Sequence, residues 1–239
     1  MMIINQIISK IYDTSTNERY RNEWIEKKLS QIPKGLSILD AGAGEQKWKS
    51  TCEHLKYVSQ DFCQYEGSGN GKGLQTSEWN TDMIDIVSDI TDIPVEDNSF
   101  DVILCSEVLE HIPHPEMAIR EFSRILKKGG QLILTAPFAS LTHFAPFYFC
   151  SGFSEYWYNT NLPEYGFEVD EIVSNGNYFS WIAQEIFRTP ILLQQYGLKC
   201  PLLVRIGGNI MTFGMRKYFY NEVSSDILCF GYMVCAHKL

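Results

Sequence analysis

The densest group of chemistry-bearing residues is Ile38-Leu39-Asp40-Ala41-Gly42-Ala43-Gly44-Glu45, an apolar run that gives way to an acid and two spaced glycines. Glycine lets a backbone approach a ligand closely, and free amides at the start of a following helix attract polar ligand groups. Asp61 stands 21 residues beyond Asp40. A carboxylate at that spacing, at the end of the next strand, can accept both ribose hydroxyls of an adenosine. An ordinary tight turn accounts for two glycines equally well until Asp61 is added. Further stretches follow in order. Asp89-Ile90 precedes Pro94, Asp97-Asn98-Ser99-Phe100-Asp101 comes next, and Cys105-Ser106-Glu107-Val108-Leu109-Glu110-His111-Ile112 follows. Leu126-Lys127-Lys128-Gly129-Gly130 closes the series.

Elements must hold these residues in place. Tyr20, Trp24, Ile25 and Leu29 recur at helical spacing over 19–31, and Pro33-Lys34-Gly35 ends that helix. Apolar runs predict strands at 36–41, 57–62, 83–87, 100–105 and 131–136. Residues 45–55 are expected to form a helix. Pro115 to Lys127 is expected to form another, with Pro at its first position and Ala118, Phe122 and Ile125 on one face. Gly129-Gly130 is expected to stop it. The alternation of strand and helix argues a doubly wound, mostly parallel α/β sheet. Residues 66–73 hold four glycines and read as a flexible loop. Aromatics crowd 137–163, and two late strands are expected at 167–173 and 227–236. The stretch 175–225 reads as a partly helical insertion broken by Pro190 and Pro201.

Composition excludes several classes. The chain has 239 residues, 45% hydrophobic and 21% charged, with a net charge of −9. This is ordinary globular usage and argues against nucleic acid as a partner. Seven cysteines, none in a C-x-x-C pair, argue against a disulfide scaffold or structural zinc, and no metal site is expected. A reducing, cytoplasmic setting is expected. Met1 to Gln6 lack the pattern of a signal peptide, and no run of about 18 apolar residues is present.

Taken in order, L-D-x-G-x-G, D-I-x-x-I-P, D-N-S-F-D-V-I, E-V-L-E-H-I and L-K-K-G-G resemble the core of the class I S-adenosylmethionine-dependent methyltransferases of the type 11-like kind. The match covers 36–138. The third glycine of a dinucleotide fingerprint is absent, since Lys47 stands in its place. The resemblance implies a Rossmann-like, seven-stranded sheet with the last strand antiparallel, an N-terminal helix and a C-terminal cap, all in one domain. It divides that domain into a cofactor core (36–138), a cap carrying substrate-specificity elements (137–225) and a final strand (226–238). S-adenosyl-L-methionine would be the cofactor and a small molecule with an oxygen or nitrogen nucleophile the acceptor. Asp40 would lie near the methionine amino group, with Gly42, Ala43 and Gly44 along the methionine and ribose. Asp61 would hold the ribose hydroxyls, and Asp89 with the Ile90 amide would meet adenine. Cys105 and Ser106 would follow the methionine.

A general base is needed only for a weakly acidic acceptor. His111, near the end of the fourth predicted strand, and His143, in the aromatic segment, are the candidates. A polar contact at a helix end accounts for His111 as well. Glu107 and Glu110 read as solvated or capping, and Asp101 as a structural anchor. Phe144, Tyr148, Phe149 and Tyr156 are candidates for a substrate pocket, with cap packing as the alternative. The apolar, basic segment 190–217 fits core packing, a homodimer contact or a membrane surface. Three rival functions remain open: a methyltransferase for a lipid- or quinone-like acceptor, a nicotinamide oxidoreductase, and a cofactor-binding protein without turnover.

Overall fold

The computed structural model describes residues 16–219 and 224–239, so the expectation about Met1 to Gln6 lies outside it. Helix α1 (Thr16–Ser30) buries Ile25 and Leu29 against Ile38, Trp48, Cys52, Leu104 and Ile133. The strands are β1 (Ser37–Ala41), β2 (Lys56–Asp61), β3 (Ile86–Val87), β4 (Phe100–Ser106), β5 (Leu126–Pro137), β6 (Phe167–Asn175) and β7 (Gly231–Lys238). They form one sheet in the order β3-β2-β1-β4-β5-β7-β6. Pairing is parallel from β3 to β5, and β7 runs antiparallel to β5. This is the expected Rossmann-like architecture. The order of strand addition reverses between β1 and β4, and open α/β sheets bind ligands at such a switch point, beyond the carboxyl ends of the strands.

Helix α2 (Pro115–Ile125) starts on its proline and buries Ala118, Phe122 and Ile125, as its periodicity predicts. It ends two residues before Lys127, and β5 begins at once at Leu126. The pair Gly129-Gly130 therefore lies within the strand and does not cap the helix. Helix α3 (Glu155–Glu164) starts on Ser154, whose hydroxyl accepts from the Trp157 amide.

Three other expectations are corrected. Residues 45–55 form successive turns, not a helix. Gln46 adopts a φ of 57°, which reverses the helical winding, and most of the bonds there span three residues: Gln46 to Ala43, Lys49 to Gln46 and Leu55 to Cys52. Trp48, Cys52 and Leu55 still face the core, so the spacing reported burial correctly and backbone type incorrectly. The third strand is only Ile86–Val87. Residues 66–73 are held, not loose: Asn70 N–H donates to Ala145 O, and Leu74 and Phe144 exchange bonds with Thr142 and Leu74. A Cβ on Gly69 would stand 2.1 Å from Ala145 O, and one on Gly73 would stand 2.5 Å from Thr142 O. These glycines permit close approach of two chain segments.

Two compact units divide the chain. One comprises residues 23–173 and 231–239 and contains most of the sheet; the other comprises, among the described residues, 16–22, 174–219 and 224–230. The second unit contains helices α4 (Tyr178–Gln195) and α5 (Leu202–Met215). Asn177 caps α4 through a reciprocal pair of bonds with Ser180. Pro190 lies inside α4 and does not end it, whereas Pro201 precedes α5.

Candidate functional site

At the end of β1 the chain turns through Gly42 (φ 75°) and Gly44 (φ 52°), both in the left-handed region. A Cβ on Gly42 would meet the Val108 side chain at 2.4 Å, and one on Gly44 would meet the Trp79 ring at 2.4 Å. Only glycine fits either position. Gly42 and Ala43 N–H donate to Gln60 O at 2.8 and 2.9 Å, and Gly44 N–H donates to Asp61 Oδ2 at 2.9 Å. These amides are therefore engaged by β2 and not presented at a helix start. Asp61 Oδ1 takes the Cys63 N–H at 2.9 Å. Each carboxylate oxygen keeps lone-pair capacity beyond these bonds.

Behind the turn, Asp40 is 2% exposed and accepts from Tyr57 Oη at 2.7 Å. Burial raises its pKa to about 7, against the Tyr57 bond and with help from Asp61. Asp89 Oδ1 takes both the amide and the hydroxyl of Thr91 at 2.8 Å, a turn cap that leaves Oδ2 available. Asp101 is the structural anchor expected: Oδ2 accepts from Ser37 N–H at 2.9 Å and Ser37 Oγ at 2.7 Å, and Lys127 Nζ donates to Oδ1 at 2.7 Å. Despite burial, the Lys127 and Ser37 bonds lower its pKa to about 2.

A cavity of about 540 Å³ opens at these strand ends. Gly42, Asp61, Asp89, Ile90, His111, Phe144 and Phe149 from the predicted set line it. Asp40, Ala43, Gly44, Cys105, Ser106, His143 and Tyr148 stand outside its wall. Cys105 is fully buried, and Ser106 Oγ shares a hydrogen bond with Thr135 Oγ1 at 3.0 Å. Tyr148 Oη donates to Ser140 O at 2.8 Å. Tyr156 is 72% exposed on α3 and is not brought to the cavity.

The sequence reading missed Phe62, Tyr65, Trp79, Val108, Met117 and Phe147, all in the wall. Phe144 is stacked on Tyr65 at 4.5 Å and on His111 at 5.2 Å, and Trp79 meets Phe144 edge-on at 5.3 Å. Only the aromatic character of Tyr65 and Trp79 hinted at this role.

Glu110 lies in the 3-10 turn Leu109–His111 and is fully buried, not solvated as expected, because that turn carries its side chain inward. Neither of its carboxylate oxygens has a hydrogen-bond partner. The Nε2 atoms of His111 and His143 each lie 3.7 Å from Glu110 Oε1. The two rings are 4.7 Å apart. His111 Nδ1 faces Phe147 O, and His143 Nδ1 faces Leu141 O at 2.9 Å. Burial outweighs Glu110 and lowers the His111 pKa. Burial pulls His143 down too, but Glu110 and the Leu141 carbonyl outweigh it and hold that pKa above its usual value.

Comparison with known proteins adds to this geometry. Residues 14–180 match the family described as methyltransferase domain. A demethylmenaquinone methyltransferase of Staphylococcus aureus is 28% identical over 138 residues, covering 54% of this chain and 56% of that protein. The match thus spans little more than half of that relative. Among solved structures, the [4+2]-cyclase SpnF superposes with a TM-score of 0.54 at 15% identity, covering 90% of this chain and 80% of that one. Phosphoethanolamine N-methyltransferase 2 of Haemonchus contortus, in complex with S-adenosyl-L-methionine, gives 0.53 at 16% identity, covering 92% and 52%. At such identities these structures speak to the fold alone.

Proposed function

This chain belongs to the methyltransferase-domain family, and from that premise we propose that it transfers the methyl group of S-adenosyl-L-methionine to a small-molecule acceptor. The observation that carries the proposal is the turn at β1, where Gly42, which tolerates no Cβ, and the Asp61 carboxylate, held by the Gly44 amide, line one cavity wall. The cavity volume falls in the usual ligand range of roughly 300–1,000 Å³. When bound, the cofactor supplies an electrophilic sulfonium methyl.

The chain's residues bind, orient and exclude water. Asp61 would hold the ribose hydroxyls on its remaining lone pairs. Asp89 Oδ2 and the Ile90 amide would meet adenine. Gly42 would lie along the methionine part, while Asp40, Ala43, Gly44, Cys105 and Ser106, behind the wall, would act by holding the turn and the end of β4 in place. Phe144, Phe149, Phe62 and Trp79 give the cavity apolar walls that keep water from the reacting atoms. His111, which lines the cavity, would be the imidazole that meets the acceptor, its ring orientation set by the Phe147 carbonyl at Nδ1. His143, one ring behind it, supports that imidazole. Seven free cysteines accord with a reducing compartment.

A second reading of the acceptor is lipid-like. It is favoured by α5, which exposes Leu202, Leu203, Ile210 and Phe213, and by the similarity to a demethylmenaquinone methyltransferase. No helix among the described residues is long and apolar enough to cross a membrane.

Calorimetric titration with S-adenosylhomocysteine, with NADH in parallel, tests the proposal. Micromolar binding of the first alone is expected. Asp61→Asn should weaken it by about 10–100-fold, since charge-assisted hydrogen bonds are worth roughly 1.5–3 kcal/mol. Binding of NADH instead would favour an oxidoreductase. Binding without turnover across a broad acceptor panel would favour a protein that has kept the cofactor and lost the reaction.

A further inference from the structure

We infer that Glu110, His111 and His143 form a binding site for one divalent first-row transition cation at the cavity wall. Their ligand atoms all lie within 4.8 Å of one another. The Glu110 carboxylate is buried with neither oxygen hydrogen-bonded, and the two imidazoles beside it stand 3.7 Å off, a costly arrangement unless a positive charge completes it. Two features direct that group to one point. Both histidines turn Nδ1 to a backbone carbonyl, so both Nε2 atoms face Glu110. This is the outer-shell pattern of imidazole ligands, where the second ring nitrogen is held by a backbone oxygen or carboxylate. The separations from Nε2 to Oε1, 3.7 Å in each case, exceed a hydrogen bond. They suit two atoms that share an ion, each about 2.1 Å from it.

The donor set fixes the class of ion. Two imidazole nitrogens with one carboxylate suit zinc, iron, cobalt or manganese, whereas calcium and magnesium take oxygen sets. Three protein ligands leave a coordination position, and His111 lines the cavity. The use of the cation, unlike its binding, rests on the methyl-transfer reading. It would take an acceptor hydroxyl oxygen in the open position and lower the pKa of that hydroxyl, whose proton leaves to solvent. This narrows the acceptor class to oxygen nucleophiles.

The full chain, stripped with a chelator and dialysed, is titrated with Co²⁺ by visible absorption and with Zn²⁺ by calorimetry. Glu110→Gln and His143→Gln are run beside it, and S-adenosylhomocysteine binding is measured on each sample. One ion per chain is expected, with Zn²⁺ displacing Co²⁺. Each variant should bind at least about tenfold more weakly. Zn²⁺ should raise the unfolding temperature of the wild type and not of Glu110→Gln. If His143→Gln fails to fold, the nearly isosteric Glu110→Gln decides. No binding by the wild type, or equal binding by wild type and Glu110→Gln, overturns the inference. A wild type that binds S-adenosylhomocysteine and no cation overturns this site alone. The reverse leaves the site standing and overturns the cofactor reading.

Discussion

Asp40 is a carboxylate that the fold keeps dry. Its pKa of about 7 means that the native state retains a proton which the unfolded chain, at 3.8, has released. Stability therefore falls as pH climbs from about 4 to 7 and is flat above that window. The full effect is on the order of 4 kcal/mol. Asp40→Asn should consequently be more stable than wild type at pH 8, with the gap closing toward pH 4. Urea midpoints at the two pH values check this, and a gap that widens on acidification would refute it. At this scale part of the cavity wall was legible. Gly42, Gly44, Asp61, Asp89 and Ile90 sit in short motifs, and local backbone demands write such motifs directly into sequence. Tyr65 and Trp79 were not legible. They become wall residues only because 65–79 packs on 142–147, a long-range contact that leaves no periodic trace. Glu110 was misread for a related reason, since its burial follows from the segment at Phe149 and Cys150 docking on its own carbonyl.

Helix α2 positions the loop that carries Asp89 through one residue, Arg124. Its guanidinium donates to both oxygens of Glu121, to Ile93 O and Val95 O, and to Asp97 Oδ1. Glu121 in turn accepts the Ile93 N–H at 2.8 Å. Removing the arginine leaves a nearly buried carboxylate with one amide. Arg124→Met should cost roughly 2–4 kcal/mol, and adding Glu121→Gln should recover part of that loss. A urea denaturation cycle of the two single variants and the pair measures it. Elements with strong periodicity, α1, α2 and the buried strands, were legible because burial on one face imposes a period. The turns of 45–55 were not: their apolar spacing mimics a helix, and only the φ of Gln46 distinguishes them.

Across the whole molecule, charge is unevenly spread. Residues 186–219 carry five of the 20 basic residues and none of the 29 acidic ones, in a chain of net charge −9. The same stretch exposes the apolar side chains of α5. Cations flanking exposed apolar residues favour an anionic lipid surface, at about 1 kcal/mol per basic residue close to it. The protein should cosediment with vesicles containing phosphatidylserine and not with neutral ones. Leu203→Asp with Arg205→Glu should abolish that binding while S-adenosylhomocysteine affinity stays unchanged. Sequence alone left this segment open among core, dimer and membrane contacts, because an apolar run does not declare which of its faces is covered.

The sheet order also has a consequence for synthesis. Strand β7 lies between β5 and β6, yet it follows β6 by more than fifty residues of chain. As the polypeptide emerges from the ribosome, β1 to β5 can pair as they appear. β6 must wait at the margin with no neighbour until the late strand threads into the gap. An incomplete nascent chain therefore presents two open hydrogen-bonding edges, on β5 and on β6, and both close in a single event.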